Sequence, residues 1–250
     1  MLAYQHLATA GLWAELEGVR LSIDPGPGAL VHAIRRHLDP TLLDGILLTH
    51  QHLDHSADVN ALIEAMTLGG SRKRGALFCP GDALAPDGAV LHYLRQHPAQ
   101  VETLAPDTDY ALGALRFTTT ARHAHGVETY GVRFQTRDGV VGLLTDTAYF
   151  DGLADQYRGC AVLVVNVVLL EARDHIQHLA MPQVEDILRA VRPEVAILTH
   201  FGISVWRAQP RLLAQAMGER LDLPVIAARD GMIYDLAARE VVPRRKRQAA

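Results

Sequence analysis

Four side chains of the kinds that bind metal ions fall within six consecutive positions of this chain: His50, His52, Asp54 and His55. An apolar run at residues 46–48 precedes them and predicts a short buried strand, and an apolar stripe at helical spacing follows them. On extended backbone His50 and His52 point to the same side, whereas the adjacent Asp54 and His55 diverge. This context favours two bound metal ions over one, and imidazole and carboxylate donors suit zinc, manganese or iron.

The rest of the chain alternates short apolar runs with helical stripes, which predicts a layered α/β sandwich. We expect strands at residues 13–17, 19–23, 46–48, 76–79, 115–119, 130–135, 140–144, 161–165, 195–198 and 232–236. We expect helices with apolar stripes at Leu30, Ile34 and Leu38, and at residues 59–66, 184–191 and 212–217. The composition is that of a globular protein, and layered α/β enzymes of 250 residues often fold as one unit. We therefore expect a single domain over residues 1–250.

The charge balance disfavours nucleic acid as a partner. The formal net charge is −4, so no global basic field attracts a polyanion. A basic run, Arg244, Arg245, Lys246 and Arg247, lies in the tail at residues 244–250. We expect this tail to be solvated, and its composition is compatible with disorder.

The sequence carries no pattern that indicates secretion or membrane insertion. Cys79 and Cys160 stand among apolar neighbours, so we expect two buried thiols and no disulfide framework. The N-terminus lacks the charged and then apolar pattern of a signal peptide. No apolar run approaches the roughly 18–20 residues that span a bilayer. We expect a cytoplasmic protein that has no membrane partner.

The segment Thr49-His50-Gln51-His52-Leu53-Asp54-His55 resembles the HxHxDH signature of the metallo-β-lactamase superfamily, which is a highly specific motif. The resemblance extends along the chain from about residue 13 to residue 236. It implies a four-layer αββα sandwich of the α/β class and the activity of a metal-dependent hydrolase.

The resemblance also implies three ligands beyond the signature. The family has a histidine in a loop before a strand, and the His-Gly and Tyr-Gly pairs of residues 125–131 favour His125 over His123. His123 is then a supporting or merely solvated residue. An aspartate that bridges the metals matches Asp146, where a buried strand ends, and a C-terminal histidine matches His200.

These ligands imply a two-metal centre. One metal takes His50, His52 and His125, the other takes Asp54, His55 and His200, and the two oxygens of Asp146 bridge them. Zinc is the most favoured metal, and manganese, iron or nickel also tolerate such ligands. A hydroxide bridging two metals is the expected nucleophile. We count Asp54 and His178 as the catalytic residues.

Several features resemble RNase Z and the small cyclic-phosphate phosphodiesterases, including residues 23–28 and 125–131. In that branch a histidine near residues 174–179 contacts the phosphate and protonates the leaving oxygen. His178 is the best match, with His175 in reserve. Asn166 stands where RNase Z carries a glutamate, and either orients His178 or is an ordinary buried amide. Asp24 is either a support for the metal site or a turn residue.

The expected substrate is a small or cyclic phosphodiester. RNase Z enzymes usually carry a long tRNA-binding arm between the loop histidine and the bridging aspartate, but His125 and Asp146 are only 21 positions apart. A thioesterase, lactonase or β-lactamase with the same metals is an alternative. An iron-dependent oxidoreductase is another, although persulfide oxidation uses one iron and would leave Asp54 and His200 without a metal. A homodimer is an expectation from family analogy alone.

Overall fold

The computed structural model describes residues 7–9 and 11–243. The predicted basic tail at residues 244–250 lies outside the described residues. Within them, two β-sheets stack face to face and helices cover both outer faces.

The first sheet contains five strands in chain order within the described residues. They are β1 (Leu12–Leu16), β2 (Val19–Ile23), β3 (Gly45–Leu47), β4 (Ala76–Pro80) and β5 (Gln100–Leu104). Strands β2 to β5 run parallel to one another, and Ile23 pairs with Leu47. Because parallel strands end at the same edge, the residues that follow β2 and β3 come together there.

The second sheet contains seven strands within the described residues. They are β6 (Asp109–Leu112), β7 (Leu115–Arg122), β8 (Tyr130–Thr136), β9 (Gly139–Leu144), β10 (Cys160–Asn166), β11 (Val195–Thr199) and β12 (Val225–Ala227). Their spatial order is β12-β11-β10-β9-β8-β7-β6, and β9 to β12 are parallel. The carboxyl ends of β9, β10 and β11 therefore share one edge. A short pair, β13 (Tyr234–Asp235) and β14 (Glu240–Val241), follows.

The helices form the two outer layers. They are α1 (Ala29–Arg35), α2 (Leu53–Ser56), α3 (Val59–Thr67), α4 (Met181–Val191), α5 (Ile203–Arg207) and α6 (Pro210–Leu221). Short 3₁₀ helices span Pro40–Leu42, Gly81–Leu84, His92–Gln96 and Ala154–Tyr157. The apolar stripe of α3 packs on the outer face of the first sheet, and α4 and α6 pack on the second. The expected four-layer αββα sandwich is confirmed.

An apolar core fills the space between the sheets. Leu21 and Phe78 from the first sheet meet Phe117 and Phe134 from the second, and all four side chains are buried. The Phe78 and Phe117 ring centroids lie 5.1 Å apart in an edge-to-face contact. Packing of this kind fixes the two sheets against each other and so fixes the loops at their common edge.

Some sequence predictions of local structure are wrong. The first helix ends at Arg35 and does not reach Leu38, because His37 adopts a left-handed conformation and the amide of Leu38 closes back on the carbonyl of Ala33. The strand expected at residues 232–236 is only two residues long. Strands β5, β6 and β12 were not predicted. Exposed polar positions interrupt the apolar pattern of β5 and β6, and β12 is only three residues long.

Two smaller expectations can be compared with the structure. Cys79 and Cys160 are buried free thiols in different clusters, as predicted. None of the helices in the described part of the chain combines the length and the apolar character needed to span a bilayer.

Candidate metal centre

The candidate ligands lie on loops that leave the common edge of the two sheets. The segment from His50 to His55 follows β3 and enters α2, Asp146 follows β9 directly after Thr145, and His200 follows β11. His125 lies between β7 and β8. The structure thus brings together residues that are up to 150 positions apart in the sequence.

A first group of donors consists of His50, His52 and His125, whose nearest donor atoms all lie within 4.8 Å of one another. His125 Nε2 and His52 Nδ1 are 3.0 Å apart. The Nδ1 of His125 donates to the carbonyl oxygen of Gln177 at 3.0 Å, so its Nε2 keeps a lone pair. His50 Nε2 is buried and has no hydrogen-bond partner among the described residues. Three imidazole nitrogens therefore converge without enough protons to satisfy them.

A second group consists of Asp54, His55 and His200, again within 4.8 Å of one another. The Nε2 atoms of His55 and His200 are 2.9 Å apart, and Asp54 Oδ2 lies 3.4 Å from His200 Nε2. His200 adopts a left-handed conformation, with φ of 58°, which a non-glycine residue rarely takes. Such strain is typical of sites where the surrounding structure dictates the position of a side chain.

Asp146 lies between the two groups and is 2% exposed. Its Oδ2 is 3.2 Å from His55 Nε2 and 3.8 Å from both His50 Nε2 and His200 Nε2. The other oxygen, Oδ1, accepts a hydrogen bond of 2.8 Å from the side-chain amide of Asn166. A single oxygen, Oδ2, therefore faces the imidazoles, and the bridging of two metals by Asp146 stays a prediction. Asn166 orients Asp146 rather than His178.

A buried hydrogen-bond network behind the ligands sets which ring nitrogens carry protons. Asp24 accepts from the amide and the hydroxyl of Thr49, both at 2.7 Å, and from His55 Nδ1 at 3.0 Å. Since the Thr49 hydroxyl gives its one proton to Asp24, it must accept from His50 Nδ1 at 3.1 Å and from Thr145 at 3.0 Å. His50 and His55 thus both carry a proton on Nδ1 and present Nε2 to the cluster. Asp24 supports the site and is not merely a turn residue.

His123 sits behind Asp146 and is only 2% exposed. Its Nδ1 lies 3.2 Å from the Asp146 carbonyl oxygen, and its Nε2 lies 3.1 Å from the Tyr157 hydroxyl. Burial lowers the pKa of His123 to about 4, so the ring is neutral at ordinary pH. A Cβ on Gly131 would lie 1.8 Å from the Tyr157 hydroxyl. The Tyr-Gly pair of residues 130–131 thus leaves space for this contact.

His178 faces the centre and His175 does not. His178 Nδ1 lies 3.7 Å from Asp146 Oδ2, and the side chain is 24% exposed. Its ring centroid is 5.1 Å from that of His125. His175 is exposed on the segment before it. The geometry therefore favours His178 as the residue able to reach both the centre and the solvent.

The charges at the centre are strongly coupled. Burial lowers the pKa of His50 well below its ordinary value. Burial also lowers the pKa of His55, but the carboxylates of Asp146 and Asp24 outweigh it and raise that pKa to about 10. Burial raises the pKa of Asp146, but the charges of His200 and His55 outweigh it and hold the pKa well below the usual range.

This donor set fits metal cations. Buried carboxylates and converging imidazoles repel one another unless positive charge lies between them. Without a metal, the positive charge nearest Asp146 Oδ2 is a proton on His55. A divalent cation supplies more positive charge, and it also gives His50 Nε2, which has no hydrogen-bond partner among the described residues, an atom to bind. The described residues thus hold four overlapping groups of His and Asp that are able to bind metal, and the two groups described above share no residue.

Sequence reasoning left several supporting residues without a role. The hydroxyls of Thr49, Thr145 and Tyr157 and the carbonyl of Gln177 all contact ligands or their partners. Only Thr49 adjoins the signature, and a threonine at a strand end is common. No local sequence signal distinguishes these residues from ordinary polar residues.

This chain is similar to known proteins in sequence and in fold. A family model described as a beta-lactamase superfamily domain matches residues 19–201. Protein MJ1374 of Methanocaldococcus jannaschii is 26% identical over 242 residues, covering 93% of this chain and 89% of that protein. A ribonuclease Z of Methanopyrus kandleri is 23% identical over 261 residues, covering 89% of this chain and 90% of that protein.

Similar solved structures show the same fold. The metallo-beta-lactamase fold protein YhfI from Bacillus subtilis superposes with a TM-score of 0.76 and 20% identity, covering 90% of each chain. A diphosphatase from the PhnP family superposes with a TM-score of 0.67 and 22% identity, covering 90% of this chain and 82% of that chain.

Proposed function

Because the chain belongs to the beta-lactamase superfamily, we propose that it is a metal-dependent hydrolase that holds two divalent cations and cleaves a small phosphodiester. One observation carries the proposal. Two groups of three donors lie on either side of a single carboxylate oxygen, Asp146 Oδ2. A single-cation site would not need the second group.

The residues divide into two sets of ligands. His50, His52 and His125 would hold one cation, Asp54, His55 and His200 would hold the other, and Asp146 would contact both. Two cations so held activate a water molecule and withdraw negative charge from an ester oxygen. Zinc suits this mixture of imidazole and carboxylate donors, and manganese, iron and nickel are the metals to compare with it.

The charge of the centre supports an anionic substrate. Two divalent cations carry four positive charges, and among the ligands only Asp54 and Asp146 are anionic. These two ligands and a hydroxide nucleophile leave one positive charge at the centre, and Asp24, which contacts the far side of the His55 ring, offsets that charge only from a greater distance. A positive centre with low-dielectric walls attracts anions, and a phosphodiester carries one negative charge at neutral pH.

His178 is positioned to handle the proton of the leaving group. It reaches the centre and the solvent, and its Nδ1 has no hydrogen-bond partner among the described residues. Burial lowers the pKa of His178, so the free ring is neutral, and an anionic substrate beside the ring favours its protonated form. The imidazolium then donates its proton to the departing oxygen, and the neutral ring takes up a proton from solvent.

The connection between His125 and Asp146 favours a small substrate. Strands β8 and β9 form a hairpin there, with only Arg137 and Asp138 between them. No extended arm projects from this part of the described chain. The ribonuclease Z and the diphosphatase among the similar proteins support a substrate that contains phosphate.

The proposal is tested with bis(p-nitrophenyl) phosphate on protein stripped of metal and then reloaded with zinc or manganese. We expect turnover that depends on metal and exceeds the rate for p-nitrophenyl phosphate, a monoester. No turnover by protein with both cations bound contradicts the phosphodiesterase proposal. A parallel panel of thioesters and lactones then tests the alternative hydrolase activity at the same centre.

A matched pair of variants tests the role of His178. His178→Ala should keep its cations and lose about 10²–10⁴-fold in kcat, the usual scale for a general acid. His175→Ala removes a neighbouring exposed histidine and should leave kcat unchanged. Equal turnover in the two variants would remove His178 from the mechanism.

A further inference from the structure

We propose that cation binding at His125 fixes the segment at residues 171–178, and so places the ring of His178 over the centre. This inference rests on the proposed metal occupancy, but it does not depend on which substrate is cleaved. It means that the position of His178, the proton donor, depends on the cation that His50, His52 and His125 would hold.

The segment has few attachments of its own. It lies between β10 and α4, contains no helix or strand, and is exposed from residue 171 to residue 175. Its internal hydrogen bonds run from Ile176 N to Arg173 O and from His178 N to Ile176 O. Across the described part of the chain, its one hydrogen bond to another element is the bond from His125 Nδ1 to Gln177 O.

That bond joins the segment to a metal ligand. His125 Nε2 lies 3.0 Å from His52 Nδ1, and the two nitrogens face each other. Without a cation, only a proton on His52 Nδ1 can join the two nitrogens; when that proton is on the other nitrogen of the His52 ring, two lone pairs repel each other and the His125 ring turns away. A cation between them removes the repulsion and holds the ring. The Nδ1–H of a held ring points at the Gln177 carbonyl and restrains it.

His178 is the next residue after Gln177, so its Cα is about 3.8 Å from that of Gln177. Restraining the Gln177 carbonyl therefore restrains the backbone that carries His178. In the observed arrangement His178 Nδ1 is 3.7 Å from Asp146 Oδ2, and its ring centroid is 6.3 Å from that of His200. Release of the hydrogen bond from His125 to Gln177 would therefore free the exposed residues 171–175 and also His178.

Trypsin measures this coupling directly, because the segment contains Arg173, which is exposed. We expect cleavage after Arg173 to slow by about tenfold when stripped protein is reloaded with zinc, as the open population falls. Cleavage after Arg137, whose side chain is 74% exposed on the β8–β9 hairpin, serves as the internal reference and should not change. Metal content is measured on the same samples.

Two variants separate the coupling from general stabilisation. His125→Ala should lose the zinc-dependent protection of Arg173, whereas His175→Ala, a change within the segment, should keep it. If His125→Ala does not fold, hydrogen exchange of residues 171–178 in the unmodified protein, with and without zinc, decides the question.

The outcomes distinguish this inference from the proposed function. Protein that binds zinc but shows the same cleavage and exchange in both states overturns the coupling and leaves the metal centre intact. Retained protection in folded His125→Ala also overturns it. Protein that binds no cation overturns the coupling together with the proposed function.

Discussion

Gly131→Ala is expected to destabilise the fold and to weaken metal binding, because it disturbs Tyr157 and His123, which lie behind Asp146. The new Cβ would lie 1.8 Å from the Tyr157 hydroxyl and 3.0 Å from His123 Nε2. The hydroxyl would have to withdraw by roughly 1 Å or more to reach even the shortest distances that real Cβ atoms show. Tyr157 is fully buried in a close-packed apolar cluster, so the strain must spread into its neighbours.

The cost can be worked from the contacts. Overpacking of a closed core costs about 1–3 kcal/mol. Loss of the hydroxyl contacts to His123 and to the Leu143 carbonyl, at 3.1 and 3.2 Å, adds about 1–3 kcal/mol. We expect the free energy of unfolding to fall by roughly 2–6 kcal/mol. Metal content should also fall, because His123 contacts the backbone of Asp146.

Urea denaturation and metal analysis measure these effects, and Tyr157→Phe completes a double-mutant cycle. Removing the hydroxyl takes away the closest clash, although the ring carbon Cζ stays 3.0 Å from the new Cβ. The double variant should therefore be more stable than the sum of the single changes by about 1 kcal/mol or more. A Gly131→Ala protein within about 0.5 kcal/mol of the parent, or strict additivity in the cycle, refutes the reasoning.

Three further changes probe the network around Asp146. Asp146→Asn should release cations from both halves of the centre and abolish turnover, and elemental analysis that finds both cations still bound would contradict the shared-ligand role. Asn166→Leu removes the amide that donates to Asp146 at 2.8 Å and adds no charge, so affinity measured against a chromophoric chelator should fall by roughly 10–100-fold; unchanged affinity would show that the amide is dispensable. Thr49→Val leaves Asp24 and His50 each short of a hydrogen-bond partner, so the free energy of unfolding should fall by about 1–3 kcal/mol, and a neutral result in thermal melts would count against the assigned proton positions.

The sequence predicts the local part of this site well. A buried strand, a ligand-rich loop and an amphipathic helix follow one another within about 20 residues, and the structure has β3, α2 and α3 in that order. The residues that join His50 and His55 at the site cannot be predicted from local sequence, because His125, Asp146 and His200 are distant from them along the chain. They were identified through resemblance to a family, since no periodic pattern links them.

The sequence alone leaves the roles of the supporting residues undecided, and the reason is physical. Asp24 and Thr49 are 25 positions apart and meet only because β2 and β3 pair in parallel with a fixed register. Which oxygen of Asp146 faces the imidazoles depends on where the Asn166 amide points, which is a tertiary property. The edge strands were missed for a simpler reason: a strand with one exposed face, such as β5, carries polar residues that weaken the apolar run.

We propose that one carboxylate oxygen and two groups of three donors hold two cations. Anomalous diffraction from crystals of zinc-loaded protein tests it most directly. We expect two peaks about 3.5–4 Å apart, one among His50, His52 and His125 and one among Asp54, His55 and His200, with Asp146 Oδ2 between them. A single peak that leaves Asp54 and His200 without a metal, or no peak in this cluster, would contradict it.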